Sequence, residues 1–457
     1  MMWTLAQAMA KTGGRLHGKD RAFSSVGTDS RADCAGQLFV ALRGEHFDGH
    51  DYVAAAQSAG AVAALVDHPL PLDLPQWIVE DTRLGLGRLA AVWRQRFAGR
   101  VVAITGSNGK TTVKEMIAAI LAQAGRVLAT QGNLNNDIGM PLTLLRARDE
   151  AFLVLEMGAN HPGEIAYLTD IARPDLAIIT NVGRAHLEGF GSLAGVAAAK
   201  GEIALGLPAA GQLLVAGDSP YLGMWQELAA GRRFLTFALN DAAATQADVM
   251  AQASSICLVW DEAGFRTDFV ARVSGREIPL TLRLAGYHNV INALSATAAA
   301  LAFGLGDTAI RDGLAGLSPV KGRLCPRRCG SLGIIDDTYN ANPDSIAAAI
   351  DVLVALPGRR WLILGDLAEL GSDVVQLHEE IGVMARTVGI NRLVTVGTLS
   401  AAASQSFGAG GRHFTDQSAL LDWLPAELDA DDRLLVKGSR LARMERVVDA
   451  LCAGMGL

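Results

Sequence analysis

Apolar runs and helical pattern alternate along most of the chain. From Val101 the runs V-V-A-I-T, F-L-V-L-E, L-A-I-I-T-N and L-L-V-A-G each close on polar residues or glycine and lead into helical periodicity. Runs that are apolar at every position predict strands buried on both faces, in parallel sheets joined by helices. A second series starts near Gly322, with G-I-I-D-D, W-L-I-L-G-D, R-L-V-T-V-G and R-L-L-V-K-G. Residues 1 to about 80 differ, mixing short strand-like runs (Leu38 to Leu42, Ala61 to Val66, Gln76 to Val79) with alanine-rich stretches such as Tyr52 to Ala59. These textures predict an α/β protein of three domains, 1–82, 83–315 and 316–457. Ligands of open α/β sheets bind outside the carboxyl ends of the strands. This chain puts Thr105, Glu156, Asn181, Asp336, Asp366 and Lys437 there.

Composition narrows the class. Half of the 457 residues are hydrophobic and 19% are charged, which excludes a disordered chain. The net charge is −7 with no long basic run, so no broad face is available for nucleic acid, although one pocket can still be positive. The longest uncharged stretch, Asn289 to Gly306, approaches the length of a membrane span. It carries Asn292, Ser295, Thr297 and two glycines, and is expected as a buried helix. The N-terminus lacks a basic segment followed by an apolar run, so no secretion signal is read there. Five cysteines are sparse and odd in number, and the C-x3-C of Cys325 and Cys329 has no second pair nearby. Reduced thiols in a soluble, cytoplasmic protein are expected.

The sharpest local signal is T-G-S-N-G-K-T-T, Thr105 to Thr112, between the strand-like Val101 to Ile104 and a helical stretch. Glycines allow successive N–H groups to face phosphate oxygens, and the following helix adds its positive end. Lys110 supplies a point charge, and the Thr111 hydroxyl suits Mg²⁺. The loop is one glycine short of the full motif, since Ile104 stands where that glycine would be. A dinucleotide fingerprint is disfavoured, because there is no third glycine and lysine occupies a small residue's place. Mg²⁺ also needs oxygen ligands at a strand end, where Glu156 stands. N-V-G-R-A-H-L-E-G-F-G-S (from Asn181) and A-A-A-K-G-E (Ala197 to Glu202) follow. Alone, His186 reads as a packed or surface histidine and Lys200 as a solvated helix cation.

Taken together with Y-H-N-V-I-N-A (Tyr287 to Ala293), these segments occur in an order and spacing that resemble the Mur ligases, ATP-dependent amide-forming enzymes of peptidoglycan precursor synthesis. The resemblance covers nearly the whole chain. It implies a UDP-substrate domain, a central P-loop ATPase domain with a parallel sheet, and a C-terminal Rossmann-like domain. T-D-S-R (Thr28 to Arg31) and L-F-V-A-L-R-G-E-H-F-D-G-H-D-Y (Leu38 to Tyr52) are similar to the first domain of the later ligases of the pathway. N-L-N-N-D-I-G-M-P-L-T-L-L, D-D-T-Y-N-A-N-P-D-S, L-G-D-L-A-E-L-G and V-K-G-S-R-L-A-R-M-E resemble the last step, which joins D-alanyl-D-alanine to UDP-N-acetylmuramoyl-tripeptide. The D-N-P-R motif of the preceding ligase is absent.

The resemblance implies roles. The loop Thr105, Gly106, Ser107, Asn108, Gly109, Lys110, Thr111 and Thr112 would hold the ATP phosphates, with Asn289, Asn292, Arg323 and Asp337 on the rest of the nucleotide. Thr111 and Glu156 would bind one Mg²⁺; His186, helped by Lys200 as a carbamate, would bind the second. Lys110, Glu156, His186 and Lys200 make up the catalytic group. Ser30, Arg31, Gly44 and Asp48 would hold UDP, while Asn135, Asn136, Asn160, His161 and Glu164 would line the sugar–peptide arm. Asn342, Lys437, Ser439 and Arg440 would receive D-alanyl-D-alanine. A cytoplasmic monomer is expected, working through an acyl phosphate and closing at hinges near 82 and 315. The competing readings are a P-loop ATPase switch, a folate ligase and a cyanophycin-type ligase; the last needs an extra N-terminal half for which the chain has no room.

Overall fold

The computed structural model describes residues 2–184, 187–239, 247–330, 332–368 and 373–454. Among the described residues three large sheets with helices on their faces, besides the small antiparallel pair Trp3–Thr4 and Ala22–Phe23, give the expected three-domain α/β architecture. In the first, Gln76–Ile78, Ala63–Val66, Gln37–Val40 and Ser25–Gly27 run parallel in that order, and Arg15–His17 pairs antiparallel at one edge.

The central sheet has ten strands. All those from Val127–Ala129 across to Val249–Ala251 are parallel, with Arg100–Thr105 between Phe152–Glu156 and Leu176–Ile179. Their apolar runs are buried on both faces, as the pattern predicts. One face is covered by the helices Lys110–Leu121 and Tyr287–Ala302. Tyr287–Ala302 takes up most of the long uncharged stretch and is buried on nearly every side. No helix among the described residues is long and apolar enough to cross a membrane.

Beyond Val249–Ala251 the sheet turns antiparallel through Gly264–Val273, flanked by Cys257–Asp261 and Arg276–Leu282. This extension reaches the third domain. Phe265 is buried in the third domain's core with Ile335, Ile346 and Leu435, and Trp260 packs beside it with ring centroids 4.9 Å apart. A Cβ on Gly333 would lie 2.8 Å from the Trp260 ring, so the hairpin seats directly on the third sheet's backbone.

That third sheet has six strands, in the order Cys325–Cys329, Leu332–Asp337, Asp432–Lys437, Arg359–Gly365, Arg392–Val396 and Gly411–Phe414. Only the first pair is antiparallel. Cys329 and Cys452 are joined by a disulfide, with Cα atoms 4.7 Å apart. This corrects the expectation of five reduced thiols: helix Glu445–Gly454 folds back over the first strand of this sheet, a pairing that residues 123 apart do not announce.

Candidate active site

The strand Arg100–Thr105, third from the Val127–Ala129 edge of the central sheet, delivers the chain into the glycine loop. Gly109 has φ +81°, and a Cβ there would lie 2.5 Å from Asn292 Oδ1. Only glycine lets the loop turn while meeting the helix Tyr287–Ala302. The helix Lys110–Leu121 has no side-chain cap, so its first amides and dipole favour an anion. The next strand end anchors the loop from behind. Thr180 Oγ1 donates to the Asn108 carbonyl at 2.6 Å, Asn108 N–H to Asn181 Oδ1 at 2.9 Å, and Gly183 N–H to Ser107 Oγ at 2.9 Å. Lys110 Nζ donates to the Gly106 carbonyl at 2.7 Å. Burial pushes this ammonium below its usual range; Glu156 opposes the shift and Arg323 adds to it.

Glu156 is buried at the end of its strand. Its two oxygens accept from Thr111 Oγ1 and from Asn135 Nδ2, each at 2.9 Å. Arg323 Nη2 donates to the same Thr111 hydroxyl at 3.1 Å, and its guanidinium lies 4.2 Å over the Tyr339 ring. Asn289 and Asn292 sit one helical turn apart, linked by a 3.2 Å hydrogen bond. Beside them His288 is held neutral, with burial pulling its pKa down to about 4 against the pull of Asp337.

The loop faces a cavity of about 650 Å³ whose opposite wall belongs to the third domain. Asp337, Asn342, Lys437, Ser439 and Arg440 all line it. Lys437 Nζ donates to Asp337 Oδ2 at 2.5 Å and to the Asn340 carbonyl at 3.0 Å, so this buried ammonium also fixes two neighbouring strands. Asn342 caps the helix Pro343–Val354 through Ser345 N–H and donates from Nδ2 to Asn108 Oδ1 at 2.8 Å.

Other expected residues lie elsewhere. Of those placed on the sugar–peptide arm, only Asn135 lines this cavity. Asn136 Oδ1 accepts from the amides of Ile138 and Gly139 where the helix Gly139–Leu145 begins. Glu164 accepts from the amides of Asn160 and His161, and Glu202 from those of Gly163 and Ala166, which joins that loop to the Lys200 segment. Ser30, Arg31, Gly44 and Asp48 belong to the first domain, outside the cavity; Arg31 is ion-paired with Asp29 at 2.9 Å, and Asp48 accepts from His50 N–H at 2.9 Å. His186 lies outside the described residues. Lys200 is 1% exposed, with Nζ 5.1 Å over the Phe190 ring. Burial, then the charge of Lys110, bring its pKa down to about 7, against Glu164 and Glu202.

Asp366, at a strand end in the third sheet, serves the fold. Its carboxylate accepts from the amides of Thr398, Leu399 and Ser400 at 2.8–3.0 Å. Burial works to raise its pKa, but these amides prevail and hold it below the usual carboxylate value. The contribution is therefore complete above the unfolded pKa of about 3.9 and is lost as pH falls through the lower folded value. Asp366→Ala is expected to destabilise the protein by about 1–3 kcal/mol at pH 7. Urea unfolding measured at decreasing pH should show the gap from the unsubstituted protein narrowing. A gap that stays constant into strong acid would contradict this account.

The cavity also holds residues that motif reading passed over. His288 sits inside a segment already singled out, Tyr339 inside D-D-T-Y-N, and Asn181 at a strand end. Asp344 lines the cavity too, whereas Arg184 stands just outside; both fall within segments quoted above, which gave them no role.

Residues 104–300 match the Mur ligase middle domain, 322–440 the Mur ligase glutamate ligase domain, and 22–91 the Mur ligase family catalytic domain. The UDP-N-acetylmuramoyl-tripeptide–D-alanyl-D-alanine ligase of Escherichia coli is 46% identical over 453 residues, 98% of each chain. The enzyme of that name from Bacillus subtilis is 38% identical over 93% of this chain and 92% of its own. Among solved structures, MurF from Acinetobacter baumannii superposes with a TM-score of 0.91 at 35% identity, covering 99% of both chains. MurF ligase from Thermotoga maritima in complex with ADP gives 0.84 at 29% identity over 95% of this chain and 98% of its own.

Proposed function

The chain belongs to the Mur ligase family, and from that membership we infer that it joins D-alanyl-D-alanine to UDP-N-acetylmuramoyl-tripeptide, using ATP to form the amide bond. The product is UDP-N-acetylmuramoyl-pentapeptide, a precursor of peptidoglycan. The observation that carries this reading is one cavity with a phosphate loop on one wall and the third domain's Asn342, Ser439 and Arg440 on the other. Phosphoryl transfer and amine capture can then share a single space.

The peptide carboxylate attacks the γ-phosphorus, ADP leaves, and an acyl phosphate results. The dipeptide amine then adds to the acyl carbon, loses a proton, and expels phosphate. Little covalent work falls to the protein, so positioning and charge neutralisation dominate. Lys110 and the loop amides hold the phosphates. Arg323 and Asp337 hold the nucleotide from the third domain, and Asn289 and Asn292 from the helix behind the loop. Arg440 and Ser439 offer donors to the dipeptide carboxylate, with Asn342 and Lys437 beside them. The first-domain group of Ser30, Arg31, Gly44 and Asp48 takes the UDP end.

The donor set suits Mg²⁺, since the Thr111 hydroxyl and Glu156 carboxylate are hard oxygen donors 2.9 Å apart. Bound there, the ion supplies positive charge to the transferring phosphoryl group. A second ion would be held by His186 and by Lys200 as a carbamate. Carbamylation needs a neutral amine, and a buried Lys200 with a pKa near 7 supplies one. The domains divide near 82 and 315, and the enzyme acts as a cytoplasmic monomer.

The test is ADP release with UDP-N-acetylmuramoyl-tripeptide, with and without D-alanyl-D-alanine. Release that depends on the dipeptide and matches amide formed is expected. An equal rate in both cases would replace the ligase with an ATPase switch.

A further inference from the structure

Arg184 lies on the segment that anchors the phosphate loop, yet its own partners are in the third domain. Its backbone N–H donates to Asp344 Oδ2 at 2.6 Å and its Nε to Asp344 Oδ1 at 3.0 Å. Its Nη1 donates to Glu380 Oε2 at 3.3 Å. Asp344 belongs to the first turn of the helix Pro343–Val354, and Glu380 to the helix Val374–Thr387. Gly183 makes the approach feasible, because a Cβ there would lie 2.6 Å from Asp344 Oδ2. The contact feeds straight into the loop: Gly183 N–H donates to Ser107 Oγ, and Asn342, two residues before Asp344, donates to Asn108.

We propose that Arg184, with Asp344 and Glu380, is a clasp that holds the third domain against the phosphate loop and so positions the wall that receives the amine substrate. It is a positioning residue, since it stands outside the cavity lining and acts through Asp344 and Glu380. The clasp joins residues 160 and 196 positions apart, next to Gly183 and Asp344 of the cavity wall. The Trp260–Phe265 hairpin is a second junction of the two domains, with Phe265 buried in the third domain's core and Trp260 packed against it. Closing the clasp stabilises the state in which water is kept from the acyl phosphate until the amine is in place. The three side chains are 34–47% exposed, so the clasp is open to screening by salt.

The inference rests on the ligase reading, and full-length enzyme separates the two. Arg184→Ala is expected to raise KM for D-alanyl-D-alanine about 5–20-fold, with KM for ATP changed less than about twofold. ADP released per amide formed should rise above one, and the thermal midpoint should hardly move. In the unsubstituted enzyme KM for the dipeptide should climb with salt; in the variant it should be nearly flat. R184A with E380A should be no worse than R184A alone, because Glu380 is met only by the Arg184 side chain across this contact. An active parent enzyme with an unchanged dipeptide KM in Arg184→Ala overturns the clasp alone. So does an equal loss for ATP and dipeptide accompanied by a lower thermal midpoint. A parent enzyme whose ADP release ignores the dipeptide overturns the ligase reading, and the clasp with it.

Discussion

Replacing Lys110 with alanine is expected to lower turnover by at least ~10²-fold while leaving the protein folded. The expectation follows from where the side chain sits. Lys110 begins a helix whose positive end faces the loop, and its ammonium lies against the carbonyls of Gly106 and Ser107. It is the cation of the loop itself, and negative charge on the phosphoryl oxygens must be met there during transfer. Arg323 reaches Thr111 from the third domain but cannot substitute, since its guanidinium is fixed over Tyr339. Lys110 belongs to no hydrophobic core cluster, so truncation leaves the core intact. Steady-state turnover together with circular dichroism checks both halves. Near-normal turnover in Lys110→Ala would remove the phosphate-loop assignment.

Lys200→Ala is expected to lose ~10²-fold or more of activity, with partial recovery when acetate is added. A lysine 1% exposed, beside Phe190 and sensing the charge of Lys110, is poorly suited to a surface helix role. A carbamate would turn it into an anionic oxygen ligand, and acetate supplies a carboxylate of similar size to the vacated space. Lys200→Arg tests the alternative, because guanidinium keeps the charge and cannot take up CO₂. Full activity in the arginine variant would show that only a cation is required.

The parallel strands were legible because burial on both faces writes itself as unbroken apolar runs, and F-L-V-L-E stands in the structure as Phe152–Glu156. The phosphate loop was legible for a related reason: glycine, lysine and threonine at fixed offsets answer to local backbone geometry. The antiparallel extension was not foreseen. Gly264–Val273 alternates between buried and exposed positions, and its inward face becomes apolar in meaning only once Phe265 meets the third domain. Strand ends proved an ambiguous guide. Glu156 faces the phosphate loop, whereas Asp366 is committed to three amides of a neighbouring loop. Arg184 and Asp344 stood in quoted segments, yet their pairing was beyond any window of sequence, because nothing short of the folded chain brings together residues 160 apart.

The hairpin seated in the third domain also bears on how far these domains are interchangeable parts. Phe265 and Ala285 complete a core otherwise built from residues after 323, although both precede the C-terminal domain in the chain. In this chain a third domain moved without residues 257–285 would leave the socket of Phe265 and Ala285 empty. Shuffling of this family by whole domains is constrained at that joint, and the unit that recombines cleanly is the third domain plus its borrowed hairpin.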